Sequence, residues 1–229
     1  MNNSSTGRPR ITALICTLDE EENLPYVLPE IPEWVDEILL VDGHSTDRTV
    51  DVARKLCPGI RILYQPGKGK GDALKHGIEN ASGDIIVTLD ADGATDPGGM
   101  DKFVEPLLNG YEFAKGSRLA NGRPTNMPRH RWVGNKILAD VTNLLYGTKY
   151  SDVCSGYNSY WKNVFLGLDL THDGFEMEQE MNAKISKVGL KVIEIPYEDK
   201  GRLEGNSKTK DVRQGLKDLV IIIKERFRE

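Results

Sequence analysis

The stretch VTLDADGATDP, residues 87–97, closes an apolar run with two carboxylates two positions apart, Asp90 and Asp92. Like charges held close at the end of a buried strand repel and are poorly solvated, so something positive belongs between them. A hard divalent cation would serve: one or two carboxylates completed by substrate phosphates is the usual shell of Mg²⁺ and suits Mn²⁺. The competing assignment is structural, with one aspartate capping the next turn and the other in solvent. A calcium loop of the EF-hand kind does not fit, because Gly93 falls at loop position four rather than six and Pro97 takes position eight.

Other segments carry chemistry for phosphates. GKGKGDALKHG, residues 67–77, is a glycine-rich entry to a helix that offers Lys68, Lys70 and backbone amides to an anion. As a flexible turn, its lysines would simply be solvated. It matches neither the dinucleotide fingerprint nor the P-loop. Basic residues group in KGSR (115–118), RPTNMPRHRW (123–132) and GRLEGNSK (201–208), supplying Arg118, Arg123, Arg129, Arg131, Arg202 and Lys208. In a protein of net charge −5 this grouping points to phosphate recognition. No serine-nucleophile elbow occurs, and the four histidines lack zinc spacing.

Positioning these groups takes strands and helices in alternation. RITALIC (10–16), VDEILLVDG with its strand ending at Asp42, IRILYQ (60–65) and GDIIVTLDAD (83–92) read as strands. Between them lie a short helix in DEEENLPYVLPEI, limited by Pro25 and Pro29, a helix in STDRTVDVARKL capped by Ser45 or Thr46, and a helix in GDALKHGIENA. Consecutive Ile85, Ile86 and Val87 predict a strand covered on both faces. This order implies a parallel, doubly covered sheet. Beyond Asp96 the rhythm becomes irregular. A long helix then follows over RWVGNKILADVTNLLYG, another over 174–187, a strand at KVIEIPY and a C-terminal helix over 209–227. Ligands gather at the carboxyl ends of such strands, where Asp19 with Glu20, Asp42, and Asp90 with Asp92 all fall.

Composition excludes several classes. At 229 residues, 38% hydrophobic and 28% charged, the chain can bury a core as one domain. Its acidic balance argues against nucleic acid as a partner. Cys16, Cys57 and Cys154 are scattered and odd in number, which suits a reducing compartment. No run approaches the roughly 18–20 apolar residues of a membrane span, and MNNSSTGRPR lacks the apolar core of a secretory signal. A cytoplasmic location follows as the expectation.

Taken in order, ICTLDEEENL, LLVDGHSTDRT, GKGKGDALKHGI, GDIIVTLDADGATDP, KGSR, SDVCSGYNSYW, DGFEMEQE and GRLEGNSK resemble family-2 glycosyltransferases over about residues 10–215. The likeness is greatest to the dolichyl-phosphate mannose synthase type. It implies an α/β GT-A (Rossmann-like) fold, a mostly parallel central sheet flanked by helices in one domain over 10–208. A disordered lead-in (1–9) would precede it and an amphipathic C-terminal helix (209–229) would follow. It implies a UDP- or GDP-linked hexose donor, Mg²⁺ or Mn²⁺ on Asp90 and Asp92, a polyprenyl-phosphate acceptor, and inversion at the anomeric carbon. Donor contacts carry over to Thr17, Asp19, Glu20, Asp42, Lys70, Asp90, Ala91 and Asp92. Acceptor and phosphate contacts carry over to Arg118, Arg131, Asn135, Arg202 and Lys208, with Asp92, Arg118 and Arg131 in the catalytic roles. Leu18-Asp19 and Gly43-His44 depart from the family's usual Tyr-Asn and Asp-Gly, which leaves the base open between guanine and uracil, and Ala94 stands where the family often has a Gln, which removes a third protein ligand for the metal.

Three questions stay open at this stage. A soluble hydroxylated acceptor would need a carboxylate base, for which Asp152 and Glu176 are candidates. A non-catalytic nucleotide-sugar-binding protein is a further alternative. In the C-terminal helix, Leu216, Leu219, Val220, Ile223 and Phe227 form one apolar face, widened by Ile221 and Ile222 and bordered by Lys217, Lys224, Arg226 and Arg228. That face would dock on the core, form a homodimer seam, or lie at an anionic bilayer as a peripheral contact.

Overall fold

Apolar runs form strands where their patterning predicts. In the computed structural model, which describes residues 7–205 and 211–228, these are β1 (Ile11–Thr17), β2 (Glu37–Asp42), β3 (Arg61–Tyr64) and β4 (Ile85–Asp90). They join β5 (Phe113–Ser117), β6 (Asn158–Trp161) and β7 (Val192–Pro196) in one seven-stranded sheet of order β3-β2-β1-β4-β6-β5-β7. All neighbours pair in parallel except β6, which runs antiparallel to both β4 and β5. The mostly parallel α/β sheet stands as expected.

The helices are α1 (Leu24–Val27), α2 (Thr49–Leu56), α3 (Lys70–Asn80), α4 (Asp101–Leu108), α5 (Arg129–Tyr146), α6 (Lys162–Leu166), α7 (Met177–Val188) and α8 (Asp211–Phe227). Alternate residues of the central strands feed two cores. Ile11, Ala13, Ile15, Ile85 and Val87 pack with Leu24, Phe103 and Leu107 on one face. Leu14, Leu39, Val41 and Ile86 pack with Leu74, Ile78, Met177 and Met181 on the other. Burial on both sides is why β1 and β4 carry no polar–apolar alternation.

Several local expectations are corrected. Neither Ser45 nor Thr46 caps α2: the helix starts at Thr49, and Ser45 Oγ instead donates to Asp42 Oδ1 at 2.6 Å while Thr46 N donates to Asp19 Oδ1 at 2.7 Å. The irregular region after Asp96 contains α4 and β5, and α7 begins three residues later than expected, at Met177. Of the lead-in, residues 1–6 lie outside the described residues, and Arg8 is already docked on Asp36 through two guanidinium hydrogen bonds of 2.9 and 3.0 Å.

The largest correction concerns α8. Its apolar stripe, Val212, Leu216, Val220, Ile223 and Phe227, faces outward. Its protein-facing side carries Gln214, Asp218 and Glu225 beside Ile221 and Ile222. Ile222 joins Leu138, Ala139, Tyr150 and Val153 in a small third core that seats α8 against α5, and Tyr146 Oη donates to the Ile222 carbonyl at 2.8 Å. Polarity is thus inverted relative to a helix docked by its apolar face. Among the described residues, no helix is long and apolar enough to cross a membrane.

Candidate active site

Parallel strands deliver their last residues to one edge of the sheet, and there a cavity of about 1000 Å³ opens. Its lining includes Thr17 and Glu20 after β1, Asp90, Ala91 and Asp92 after β4, and Arg118 after β5. Lys70 from α3, Arg131 and Asn135 from α5, and Arg202 from the segment before α8 complete the expected residues that the fold brings together. Asp19 and Asp42 stand behind this wall. Asp42 is buried and accepts from Ser45 N and Oγ, while Asp19 holds a left-handed backbone (φ +50°) and accepts from Thr46. Both carboxylates shape the loops that present Leu18, Gly43 and His44 to the cavity. Lys208 lies outside the described residues.

The positive group beside Asp90 is Lys70. Its Nζ bridges Asp90 Oδ1 at 2.7 Å and Glu178 Oε1 at 2.9 Å. Burial disfavours every charge here, yet the two carboxylates raise the Lys70 ammonium well above its usual range, and Lys70 in turn holds Asp90 below the usual carboxylate range. Gly156 makes room for the pair: a Cβ there would come within 2.6 Å of Asp90 Oδ2 and 2.7 Å of Lys70 Nζ. Asp92 has no such ion pair among the described residues. Burial, with Asp90 alongside, pushes its carboxyl up to about 6, and Oδ1 accepts the Ala94 amide at 3.0 Å.

An unbalanced carboxylate two residues from a balanced one suits a hard divalent cation. Among the described residues no third histidine, cysteine, aspartate or glutamate joins them as a ready metal cluster. The donor set therefore fits an ion that takes its remaining ligands from a bound phosphate and water. Thiolate chemistry does not fit, since burial pushes Cys16 up to about 12 and Cys154 higher still.

The arginines differ from one another. Arg118 is committed to Asp152: Nε meets Oδ2 at 2.7 Å, Nη2 meets Oδ1 at 3.0 Å, and Nη2 also donates to the Cys154 carbonyl at 2.9 Å. Asp152 is fully buried, and although burial opposes its ionisation, Arg118 holds its carboxyl below the usual range. It is therefore a poor base. Glu176, the other candidate base, lies off the cavity wall, where Gln214 Nε2 reaches its Oε2 at 3.4 Å. Arg202 pairs with Glu20 through both prongs, at 2.9 and 2.7 Å. His130 and Arg131 stand at the mouth on the first turn of α5.

Residues missed from sequence also line the cavity: Glu178 and Gln179 on α7, Gln214 and Asp218 on α8. The alternating acids of DGFEMEQE hinted at the first. Nothing in the chain's patterning marked Asp218.

The family model for Glycosyl transferase family 2 matches residues 12–167. Glycosyltransferase AglJ of Haloferax volcanii is 32% identical over 208 residues, spanning 90% of this chain and 68% of that one. A protein of Pyrococcus furiosus named dolichol-phosphate mannosyltransferase is 32% identical over 213 residues, covering 88% of this chain and 59% of its own. In fold, the chain superposes on glucosyl-3-phosphoglycerate synthase from Mycobacterium tuberculosis, solved with Mn²⁺, UDP-glucose and phosphoglyceric acid. The TM-score is 0.77 at 19% identity, covering 97% of this chain and 81% of that one.

Proposed function

The chain belongs to glycosyl transferase family 2 and is a glycosyltransferase, and from that premise we propose that it moves a hexose from a UDP- or GDP-linked donor to a polyprenyl phosphate, with inversion. The observation that carries the acceptor is the inverted α8. Its outward stripe of Leu216, Val220, Ile223 and Phe227 adjoins a cavity whose α5–α8 wall is apolar at Ile137, Leu138, Leu216 and Leu219. A lipid tail is the substituent that such a wall suits, while the basic mouth suits its phosphate. The name of the Pyrococcus relative supports the same class of acceptor.

Asp90 and Asp92 would hold Mg²⁺ or Mn²⁺, which when bound supplies counter-charge to the departing diphosphate. The rest falls to the chain. Lys70 sets a buried cation beside Asp90 on the diphosphate side. His130 and Arg131 at the mouth, with Asn135 one turn further along α5, orient the acceptor phosphate. That phosphate is already an anion, so its attack requires no general base. Thr17, Glu20, Gly43 and His44 bound the end assigned to the nucleoside.

Transfer from UDP- and GDP-hexoses to a short-chain polyprenyl phosphate, assayed with Mn²⁺ and with EDTA, tests the proposal. Product with the lipid phosphate and none after chelation is expected. Product only with phosphoglycerate would favour the second reading, a soluble phosphorylated acceptor, which the ligands of the Mycobacterium structure suggest. Binding of nucleotide sugar with no transfer to either acceptor would leave a binding protein.

A further inference from the structure

Glu180 on α7 has no exposure at all and lies off the cavity wall, so no step of the transfer uses it directly. Its two oxygens gather the loop that precedes α7. Thr171 N donates to both at 3.0 Å, Thr171 Oγ1 to one at 2.9 Å, and His172 N and Nδ1 to the other at 2.9 and 2.8 Å. Lys184 Nζ, four residues along the helix, stands 3.0 Å away, and Arg228 Nη1 of α8 stands at 3.8 Å. Burial opposes the charge, yet His172, Lys184 and Thr171 hold the carboxyl down to about 2. A buried carboxylate with this many donors is satisfied and holds its donors in one arrangement. Residues 167–176 join α6 to α7 as a loop, and side-chain anchors of this kind set the course of such a segment.

What the loop holds is the start of α3. The N-cap there is Gly69, which has no side chain to cap with. The Asp173 carbonyl takes that part and accepts from Asp72 N at 3.1 Å. The approach is close: a Cβ at Gly71 would come within 2.8 Å of the Asp173 carbonyl carbon, the His172 carbonyl oxygen and Met177 Cβ. Lys75 Nζ, one turn along α3, meets Asp173 Oδ1 at 2.6 Å. The same loop lays the Phe175 ring 5.8 Å from Lys70 Nζ. Lys70 is the first residue of α3, and its ammonium is the group between Asp90 and Glu178. Its backbone is thus seated by residues 171–173, and its head is gripped by α7 and β4.

We propose that Glu180 is a positioning residue for the transfer: it fixes loop 171–173, whose Asp173 carbonyl seats α3 and so places the Lys70 ammonium on the diphosphate side of the cavity. This rests on the nucleotide-sugar reading above, which gives Lys70 its task, and adds a residue that touches neither donor nor acceptor. The demand on placement is strict. A cation that stabilises a departing diphosphate has to be held to within about 0.5 Å, and a misplacement of about 1 Å costs on the order of a hundredfold in rate.

The test uses Glu180→Gln, which keeps the shape of the side chain and turns one acceptor into a donor facing the loop amides. Two readouts are taken well below the melting transition. First, turnover of UDP-glucose and GDP-mannose with Mn²⁺ is measured in the wild-type and Lys70→Met backgrounds. The change should lower kcat/KM by about tenfold or more in the first and by less than about twofold in the second, where the cation it places is already gone. Second, amide hydrogen exchange is followed by NMR. Protection of the Asp72 amide should fall by about tenfold or more, while that of Ile78 inside α3 is retained. His172→Ala removes one bond from a half-buried side chain and serves if the Gln variant does not fold; about a threefold loss in both readouts is expected. Equal losses of kcat/KM in the two backgrounds, or unchanged protection of Asp72, would overturn the assignment and leave Glu180 as a stabilising residue alone. No turnover of either nucleotide sugar by wild type would instead overturn the donor reading, and the exchange at Asp72 would still decide whether Glu180 seats α3.

Discussion

Glu20 and Arg202, 182 positions apart in the chain, meet in a two-pronged ion pair of 2.9 and 2.7 Å. The pair latches the segment before α8 over the end of β1. Around it, Glu204 N donates to Asn23 Oδ1 at 2.9 Å, Leu203 N to the Asp92 carbonyl at 3.1 Å, and Lys200 N to the Ala94 carbonyl at 2.9 Å. Gly93 permits the approach: at φ +75°, a Cβ there would come within 2.5 Å of Leu203 Cδ1. Arg202→Ala would leave Glu20 buried without its cation. It should cost about 1–3 kcal/mol in urea unfolding and speed proteolysis after Leu203. Glu20→Ala with Arg202→Ala should cost less than the two single losses summed; additive losses would dissolve the latch.

Asp92 is expected to trade stability for function. Its carboxyl is raised to about 6 by burial and by Asp90, so keeping it ionised at neutral pH works against the folded state. Asp92→Asn should therefore raise the unfolding free energy at pH 7.5, by on the order of 1–3 kcal/mol. The same change should abolish transfer and Mn²⁺ binding in the presence of nucleotide. Undiminished transfer, or transfer indifferent to EDTA, would remove the aspartate pair from metal binding.

Arg118 and Arg131 should separate in a paired experiment. Arg118 neutralises Asp152, which has no exposure at all, so Arg118→Ala strands a buried charge and should lower stability by about 3–5 kcal/mol. Arg131 stands at the cavity mouth on the first turn of α5. Arg131→Ala should raise the acceptor KM by about tenfold or more, with donor affinity intact. A matching loss of donor affinity would move Arg131 to the donor side.

What could be read in advance followed a physical division. Strands β1 and β4 were legible because burial on both faces demands unbroken apolar runs, and Asp90 and Asp92 could be placed by counting from the end of β4. β6 was not legible. Its Asn158 and Ser159 are buried polar residues, made tolerable by hydrogen bonds to the Ser155 carbonyl at 2.8 Å and the Phe103 carbonyl at 2.6 Å. α4 was hidden by the internal Pro106. Lys70 was legible as a phosphate-binding residue, while its partner Glu178 was missed, since pairing across α3, β4 and α7 exists only after folding. For α8 the periodicity was right and its direction unknowable: an amphipathic pattern says which residues share a face and not which way the face points.

Asp218 should give α8 a pH-dependent stability. The groups around it are Gln214 and Lys217 on its own helix, Glu176 and Glu178 at the start of α7, and the buried Cys154. A carboxyl raised from 3.8 to about 6 binds its proton more tightly folded than unfolded. Its contribution is therefore favourable below about pH 4 and is lost as pH rises through 6. Asp218→Asn should accordingly stabilise the protein at pH 7.5 by on the order of 1–3 kcal/mol and change little at pH 4. Equal effects at the two pH values would show that the carboxyl is not perturbed by folding.

The outward stripe of α8 makes the bilayer contact testable without disturbing the core. Ile221 and Ile222 are unsuited to the purpose: they are 9% and 1% exposed, and Ile222→Ser should cost about 2–4 kcal/mol by opening the seam with α5. Leu216 and Phe227, at 62% and 78% exposure, add little to folding. On a vesicle surface each would bury apolar area worth about 1–2 kcal/mol, beside Lys217, Lys224, Arg226 and Arg228, which favour anionic headgroups. Leu144, 85% exposed on α5, extends the apolar surface. The double change Leu216→Ser with Phe227→Ser should thus cut partition onto phosphatidylglycerol-containing liposomes by about tenfold or more, at unchanged melting temperature. Binding to neutral liposomes should be weaker from the outset, and salt should weaken the anionic case further. If sedimentation with liposomes is indifferent to both serines while a dimer seen at equilibrium becomes a monomer, the stripe is a seam between two copies of the chain and not a bilayer contact.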